Sequence, residues 1–163
     1  MLASIRSVLF ICTGNICRSP TAEAVFRAKA TTAGIHKQLL IDSAGTHAYH
    51  VGEAPDPRSQ QYALARGYAM DDLRARQIRA DDFVRFDLLL AMDKHNLALL
   101  EAACPSAHRH KLRLLMEFAG QHRAEEVPDP YYGGPQGFQT VLDYIEDAAE
   151  QLVLKLRNLP AQP

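Results

Sequence analysis

Short apolar runs alternate with longer segments of helical character along this chain. Such runs are typical of strands buried on both faces of a parallel sheet, and the segments between them are long enough for crossover helices. We predict four strands, which are Ser7–Cys12, Leu39–Ser43, Phe86–Met92 and a weaker Lys111–Leu115. The pattern therefore predicts an α/β fold with a four-stranded parallel sheet and helices on both of its faces.

Capping signals place the ends of four helices. Ser19 is predicted to cap the first helix, with Pro20 at its first helical position and Glu23 in its first turn. This helix is predicted to run to about Thr32, where Gly34 stops it. The other predicted helices run from Asp56 to near Gly67, from a cap at Asp93 to about Ala103, and from about Phe138 to Leu156.

The segment from Glu125 to Gly137 is crowded with Pro and Gly. Such a composition predicts a surface loop, and loops carried on a rigid sheet are frequent places for functional residues. We therefore expect functional residues in this loop.

Length and composition indicate one globular domain. The 163 residues are 47% hydrophobic and 23% charged, which is ordinary for a folded protein, so residues 1–163 are treated as a single domain. The chain has 18 Lys and Arg against 19 Asp and Glu, for a net charge of -1, and no run of either sign. This balance argues against nucleic-acid and membrane partners, which need clustered cations.

Three cysteines, Cys12, Cys17 and Cys104, are an odd number and too few for a disulfide framework. The first residues lack the pattern of a signal peptide, and no apolar stretch approaches the roughly 18 residues of a spanning helix. A cytoplasmic location is the expectation.

The segment between the first predicted strand and the first helix reads Cys-Thr-Gly-Asn-Ile-Cys-Arg-Ser-Pro. Ligands of open parallel sheets bind beyond the carboxyl ends of the strands, where a helix N-terminus presents unpaired N–H groups and partial positive charge. The expected ligand is an anion. A cysteine at this place beside an arginine is favoured as the nucleophilic thiolate, and we predict that Cys12 is that nucleophile.

The spacing between Cys12 and Arg18 fits a phosphate. Five intervening residues form a short arc whose N–H groups converge on phosphate oxygens, and the guanidinium closes it with two parallel hydrogen bonds. Gly14 and Asn15 both tolerate the left-handed backbone expected in such an arc, and Ser19 is placed to donate a hydrogen bond to the sulfur. The predicted phosphate contacts come from Thr13, Gly14, Asn15, Ile16, Cys17 and Ser19.

Thiolate attack on a phosphoester also needs a proton for the departing oxygen. Asp129 is the best candidate, because Pro128 and Pro130 restrict its backbone within the loop predicted above. Tyr131 and Tyr132 follow it and are predicted to supply an apolar wall that favours the protonated acid.

Taken together, these segments resemble the low-molecular-weight protein tyrosine phosphatases over essentially the whole chain. The matching stretches are residues 8–20, 42–46, 86–93 and 127–132. The resemblance implies a sheet in flavodoxin-like order, the phosphotyrosine phosphatase I-like fold, with no metal and no cofactor. It also implies a phosphocysteine intermediate on Cys12.

The resemblance assigns roles to the candidate residues. Arg18 would hold the phosphoryl oxygens, and Asp129 would protonate the leaving phenolate and then deprotonate the hydrolytic water. Asn15, Ser19 and Ser43 match a hydrogen-bond network that holds the phosphate-binding segment.

Further positions match by the same resemblance. Cys17 matches a second cysteine that can form a reversible disulfide with the nucleophile. Tyr49 matches an aromatic residue at the rim of the cleft, and Tyr131 and Tyr132 match tyrosines that line it. Leu73 departs from the family, because many members have a histidine there that orders the network behind the nucleophile.

Four other interpretations compete. Arsenate reductase of the same fold needs two more cysteines after the third strand, where only Cys104 is found. Phosphoarginine phosphatases tend to have Thr where this chain has Ile16. A metal site at residues 108–110 with Cys104 or His122 lacks zinc-site spacing. A module that binds phosphotyrosine without turnover, or senses redox state, would not need the acid Asp129.

The expected partners are therefore phosphotyrosine-containing proteins, with a tyrosine kinase among the candidates. The expected oligomeric state is a monomer or a weak dimer.

Overall fold

A four-stranded parallel sheet forms the centre of the molecule, as seen in a computed structural model that describes residues 5–130 and 134–158. Its strands are β1 (Ser7–Cys12), β2 (Leu40–Gly45), β3 (Leu88–Ala91) and β4 (Leu112–Leu114). Their order across the sheet is β2-β1-β3-β4, with Cys12 beside Gly45 and Ile11 beside Ala91. We call the edge where all four strands end the carboxyl edge, and the opposite edge the amino edge. The predicted α/β class, parallel sheet and flavodoxin-like order are confirmed.

In the described ranges, five α-helices and three short 3-10 helices connect the strands or follow the last of them. The α-helices are α1 (Arg18–Thr32), α2 (Pro57–Ala65), α3 (Ala80–Arg85), α4 (Lys94–Ala103) and α5 (Pro135–Arg157). The 3-10 helices are His36–Gln38, Ser106–Lys111 and Leu115–Phe118. The sequence pattern did not predict α3 or the 3-10 helices, because none is long enough to show a repeat of apolar positions.

Side chains of the central strands alternate between two apolar cores. Phe10 packs with α1 and α5 on one face of the sheet, where its ring lies 5.5 Å from that of Phe26. Leu9 and Ile11 face α3 and α4 on the other side. Because β1 is covered on both faces, its six residues are all buried, which explains the uninterrupted apolar run in the sequence.

The start of α1 differs from its prediction. The helix begins at Arg18, and Cys17 occupies the cap position without a side-chain cap bond, so Ser19 is not the cap. Pro20 is accordingly the third helical residue, and Glu23 lies beyond the first turn. The helix starts early because the backbone of the preceding loop leads directly into it, which frees the Ser19 hydroxyl for another contact.

The other helix signals were read correctly, apart from the start of α5. Asp56 accepts the N–H of Arg58 at 2.8 Å, and Asp93 accepts that of Asn96 at 2.7 Å. Gly34 follows α1 with a φ of 78°, a conformation that favours glycine. The long helix α5 begins at Pro135 rather than Phe138, so the end of the predicted loop is helical.

Candidate active site

Residues 12–18 form a compact loop at the carboxyl edge, between the end of β1 and the start of α1. We call it the phosphate-binding loop. Cys12 is 2% exposed and Arg18 is 3% exposed, so the nucleophile and the guanidinium both lie inside the protein. The N-terminus of α1 points at this position, and its unpaired N–H groups favour an anion there.

The backbone of the loop explains two of its residues. Asn15 has a φ of 58° and is the only residue other than glycine with a positive φ in the part of the chain that the structure describes. Gly14 does not adopt this conformation, contrary to our prediction. Space is tight there, because a Cβ atom on Gly14 would lie 3.0 Å from Cδ2 of His50, so a larger residue would require the His50 ring to shift.

The end of β2 holds the loop from one side. Thr46 donates its N–H to the carbonyl oxygen of Cys12 at 2.9 Å, and His47 donates to that of Thr13 at 3.0 Å. A Cβ atom on Gly45 would lie 2.7 Å from the Thr13 oxygen, so this close approach requires glycine. Two strands therefore fix the position of one loop.

A chain of side-chain hydrogen bonds leads from the nucleophile into the interior. Cys12 Sγ lies 3.0 Å from Ser19 Oγ. Asn15 donates one amide hydrogen to Ser19 Oγ at 2.8 Å and the other to Ser43 Oγ at 3.0 Å. Its own oxygen accepts the N–H of Arg76 at 3.0 Å, which fixes the amide orientation. The three residues predicted for the network are brought together behind the loop and do not line the cavity.

The chain of hydrogen bonds continues to a buried carboxyl group that the sequence did not indicate. Ser43 donates to Oε1 of Glu23 at 2.7 Å, and Arg27 donates to Oε2 at 3.0 Å. Burial raises the pKa of Glu23, and the hydrogen bonds from Ser43 and Arg27 oppose that effect. Leu73, where the resemblance implied a histidine, lines a cavity of about 890 Å³ together with Glu23.

Arg18 is held in place by acceptors on two other segments. Its Nη1 donates to Oδ2 of Asp93 at 2.7 Å and to the carbonyl oxygen of Val127 at 3.0 Å. Burial lowers the pKa of Arg18, but the charges of Cys12 and Asp93 outweigh this and raise it. The guanidinium is therefore a fixed cation at the end of the loop.

A cavity of about 250 Å³ opens at this loop. Its walls are formed by Cys12, Thr13, Gly14, Ile16, Cys17, Arg18, Tyr49, His50 and Asp129. Asp129 also borders the cavity, with Oδ2 at 3.8 Å from Nη2 of Arg18 and about half of its side chain exposed. The cavity therefore combines a thiol, a guanidinium and a carboxyl group that can reach one bound group.

Comparison with known proteins identifies this arrangement. The family model described as low molecular weight phosphotyrosine protein phosphatase matches residues 7–161. The chain belongs to this family. It is 43% identical over 154 residues to the low molecular weight protein-tyrosine-phosphatase of Streptomyces coelicolor, covering 93% of each chain. It is 41% identical to the human low molecular weight phosphotyrosine protein phosphatase, covering 83% of this chain and 86% of that one.

A solved structure agrees. A protein tyrosine phosphatase from Entamoeba histolytica, crystallised with Hepes in its active site, superposes with a TM-score of 0.90 at 41% identity. The match covers 93% of this chain and 96% of that chain. The fold and the class of enzyme predicted from the sequence are thus confirmed, and the chain is a protein tyrosine phosphatase.

Among the described residues, Tyr49 and His50 are the two ring side chains that border the phosphatase cleft. Tyr49 is 71% exposed and stacks on His47 with the ring centroids 4.9 Å apart. His50 lies against the loop and forms a hydrogen bond to Oε2 of Glu53 at 2.6 Å. Tyr49 borders the cavity together with His50, which was not predicted. The other predicted aromatics, Tyr131 and Tyr132, lie outside the described residues.

Cys17 faces the same cavity as Cys12 and is free, as is Cys104. Burial raises the pKa of the Cys17 thiol to about 12, and a hydrogen bond with Ser59 only partly opposes this. Cys17 is therefore a thiol at neutral pH. Cys104 follows α4 near the amino edge, on the far side of the sheet from the phosphatase cleft.

Asp93 and Asn96 are two further functional contacts that sequence reasoning missed. Asp93 was predicted only as a helix cap, but its second oxygen binds Arg18, and Asn96 donates to Oγ1 of Thr13 at 3.1 Å. Their position directly after β3 was the available signal, because the carboxyl ends of adjacent parallel strands meet at one edge. Among the residues that the structure describes, no group of three or more His, Cys, Asp or Glu could hold a metal ion.

Proposed function

We propose that this protein hydrolyses phosphotyrosine in other proteins through a phosphocysteine on Cys12. The observation that carries the proposal is the cavity in which Cys12, Arg18 and Asp129 meet, with Ser19 Oγ at 3.0 Å from the sulfur. A phosphotyrosine monoester is nearly a dianion at neutral pH, which suits a helix N-terminus closed by a fixed guanidinium.

The reaction proceeds in two displacements. The Cys12 thiolate attacks phosphorus while Arg18 and the loop N–H groups bind the other oxygens, and Asp129 gives its proton to the leaving phenolate. Asp129 then takes a proton from water, which attacks phosphorus and expels the Cys12 thiolate. Ser19 donates a hydrogen bond to that leaving sulfur, so it stabilises the thiolate charge that returns to Cys12 in the second step.

Loss of the nucleophile tests the first step. Cys12→Ser is expected to abolish hydrolysis of an aryl phosphate, whereas the wild type should act in the presence of a metal chelator and be inhibited by vanadate. Activity retained in Cys12→Ser would exclude the phosphocysteine.

Replacement of Asp129 tests its role as the general acid. Asp129→Ala should reduce kcat by about two to four orders of magnitude on an aryl phosphate with a poor leaving group. The loss should be much smaller on an activated ester, whose phenolate departs without a proton. Equal losses on both substrates would remove Asp129 as the general acid.

Two related activities are less well supported. Cys104 lies near the amino edge, remote from Cys12, which disfavours the disulfide relay of an arsenate reductase. Ile16 places an apolar side chain in the cavity wall, which favours an aromatic ring over a guanidino group. Turnover measured on phosphotyrosine, phosphoserine, phosphoarginine and arsenate would separate these substrates.

We further propose that Cys17 forms a reversible disulfide with Cys12 when the nucleophile is oxidised. Both cysteines border the same cavity, which supports this pairing. We also propose that a tyrosine kinase is among the substrates. The proposed location is the cytoplasm, and the proposed oligomeric state is a monomer or a weak dimer. Within the described residues, no helix is long and apolar enough to cross a membrane.

A further inference from the structure

The cations of this protein differ in whether a carboxylate neutralises them. About half of the 18 Lys and Arg residues form ion pairs, as Arg76 does with Asp82 and Arg66 with Glu146. The remainder have no carboxylate within ion-pair distance in the part of the chain that the structure describes. A net charge of -1 therefore conceals an uneven distribution.

Most of the unpaired cations lie at the amino edge, opposite the catalytic cleft. Arg6, Lys37 and Arg109 are exposed and precede β1, β2 and β4. Arg85 ends α3 just before β3. Lys155 and Arg157 end α5, and this helix reaches the same edge because Glu150 pairs with Lys29 near the end of α1. We call Arg6, Lys37, Arg85, Arg109, Lys155 and Arg157 the amino-edge cations.

Few nearby groups offset this charge. Asp87 is half-buried, and its Oδ2 accepts the N–H of Arg6 at 2.7 Å. Glu101 is an exposed carboxylate in the last turn of α4. Cations in the last turn of a helix compensate its dipole, which accounts for Lys155 and Arg157. Compensation of a helix dipole does not explain Arg6, because Arg6 lies in no helix.

Exposed apolar side chains accompany the cations. Val84 is 61% exposed beside Arg85, and Leu40 is 40% exposed at the start of β2. Adjacent strands are about 4.8 Å apart, so cations that precede successive strands form a row across the whole sheet edge. A broad row of unpaired cations with apolar side chains between them suits an extended anionic surface that also has an apolar layer.

We propose that the amino edge docks on an anionic lipid surface. The cations contact lipid headgroups, and Val84 and Leu40 contact the boundary of the acyl layer. Because the phosphate-binding loop is at the carboxyl edge, the catalytic cleft then faces away from the bilayer. The docked enzyme therefore remains open to phosphotyrosine on proteins in the adjoining solution.

Vesicle binding tests the proposal. The full chain should sediment with vesicles of phosphatidylcholine mixed with phosphatidylglycerol, but not with phosphatidylcholine alone, and high salt should release it. Each cation removed should lower the partition coefficient about fivefold. The triple variant Arg6→Glu, Lys37→Glu and Arg109→Glu should therefore lose about a hundredfold or more.

The chain offers a matched control. Arg74, Arg79 and Arg123 are also exposed and have no carboxylate partner among the described residues, but they lie away from the amino edge. The triple variant Arg74→Glu, Arg79→Glu and Arg123→Glu has the same net charge as the first and should bind vesicles nearly as well as the wild type. An equal loss in both triple variants would mean that only net charge matters, and would overturn the proposal.

Two further measurements complete the test. Hydrolysis of a soluble aryl phosphate should be the same with and without vesicles, and the same in the amino-edge triple variant; inhibition by vesicles would contradict the proposed orientation. Failure of the wild type to bind anionic vesicles would overturn the proposal outright. If it instead bound a glutamate-rich peptide at the amino edge, the partner would be an acidic protein segment.

Discussion

At the level of single residues, the amide group of Asn15 fixes the direction of the hydrogen bonds behind the phosphate-binding loop. Both of its hydrogens are donated, so the Ser19 and Ser43 oxygens act as acceptors toward it. The Ser19 hydroxyl hydrogen is then available to the Cys12 sulfur, and that of Ser43 is directed at Glu23. Glu23 therefore terminates the chain as its last acceptor.

Removing this acceptor should weaken catalysis. In Glu23→Leu the Ser43 hydroxyl loses its acceptor, so Ser43 and the Asn15 amide that it holds are less firmly placed behind Ser19, which weakens the hydrogen bond from Ser19 to the sulfur. A hydrogen bond to a charged group contributes about 1.5–3 kcal/mol, so kcat should fall by about tenfold or more. The ascending limb of the pH profile of kcat/KM should also move to higher pH, because the thiolate is less stabilised.

Glu23→Gln is the matched control for that variant. It keeps an acceptor oxygen for Ser43 and should retain kcat within about threefold. A Leu variant that is folded and keeps the wild-type kcat and pH profile would show that Glu23 does not position the network.

The raised pKa of Cys17 should control how fast the proposed disulfide closes. Peroxide converts the Cys12 thiolate to the sulfenic acid, and the Cys17 thiolate then attacks that sulfur and releases hydroxide. Because the pKa of Cys17 is about 12, only a small thiolate fraction exists at neutral pH. Disulfide closure should therefore accelerate about tenfold per pH unit between neutral pH and pH 10.

A pH-jump experiment isolates this step. The enzyme is oxidised briefly at fixed pH, moved to a series of pH values and trapped for mass spectrometry of the disulfide. Cys104→Ser should behave as the wild type, and Cys17→Ser should form no disulfide. A closure rate independent of pH would contradict control by the Cys17 thiol.

At the level of elements, one carboxylate of α5 holds the segment that connects β4 to the loop with Asp129. Asp147 accepts the N–H groups of Gly120, Gln121 and His122 at 2.8–3.0 Å, and its side chain is 6% exposed. Burial raises the pKa of Asp147, but these hydrogen bonds outweigh that effect and lower it. The helix thereby holds the segment that leads to Val127 and Asp129.

Asp147→Asn should lower the free energy of unfolding by about 1–3 kcal/mol, measured by urea denaturation at neutral pH. Because the pKa in the folded state lies below the ordinary value of 3.8, the carboxylate stabilises the fold above that pH. The difference between the variant and the wild type should therefore shrink as the pH falls below 3.8.

The control variant Glu150→Gln, which removes an exposed pair with Lys29, should change the free energy of unfolding by less than about 1 kcal/mol. A pH-independent difference would assign the effect to packing.

At the level of the whole molecule, the sequence predicts what depends on local pattern. The apolar run of β1 and the segment that follows it identify the sheet, the nucleophile and Arg18, because burial on both faces and loop spacing are visible in one dimension. The contacts of Glu23 with Ser43 and of His50 with Gly14 were not predictable, because each joins segments far apart in the chain. Gly14 shows the same limit, since the tight space around it comes from the His50 side chain on another loop.

The fixed position of Arg18 affects how much entropy is lost when the substrate binds. The bonds of Nη1 to Asp93 and Val127 form when the protein folds, so the side chain has already lost its rotational freedom and most of its water before a ligand arrives. Binding of the phosphoryl group then needs little further ordering of the arginine. A complex that forms in this way should have a small unfavourable entropy of association, and its recognition should depend on the geometry of the oxygens that the substrate presents.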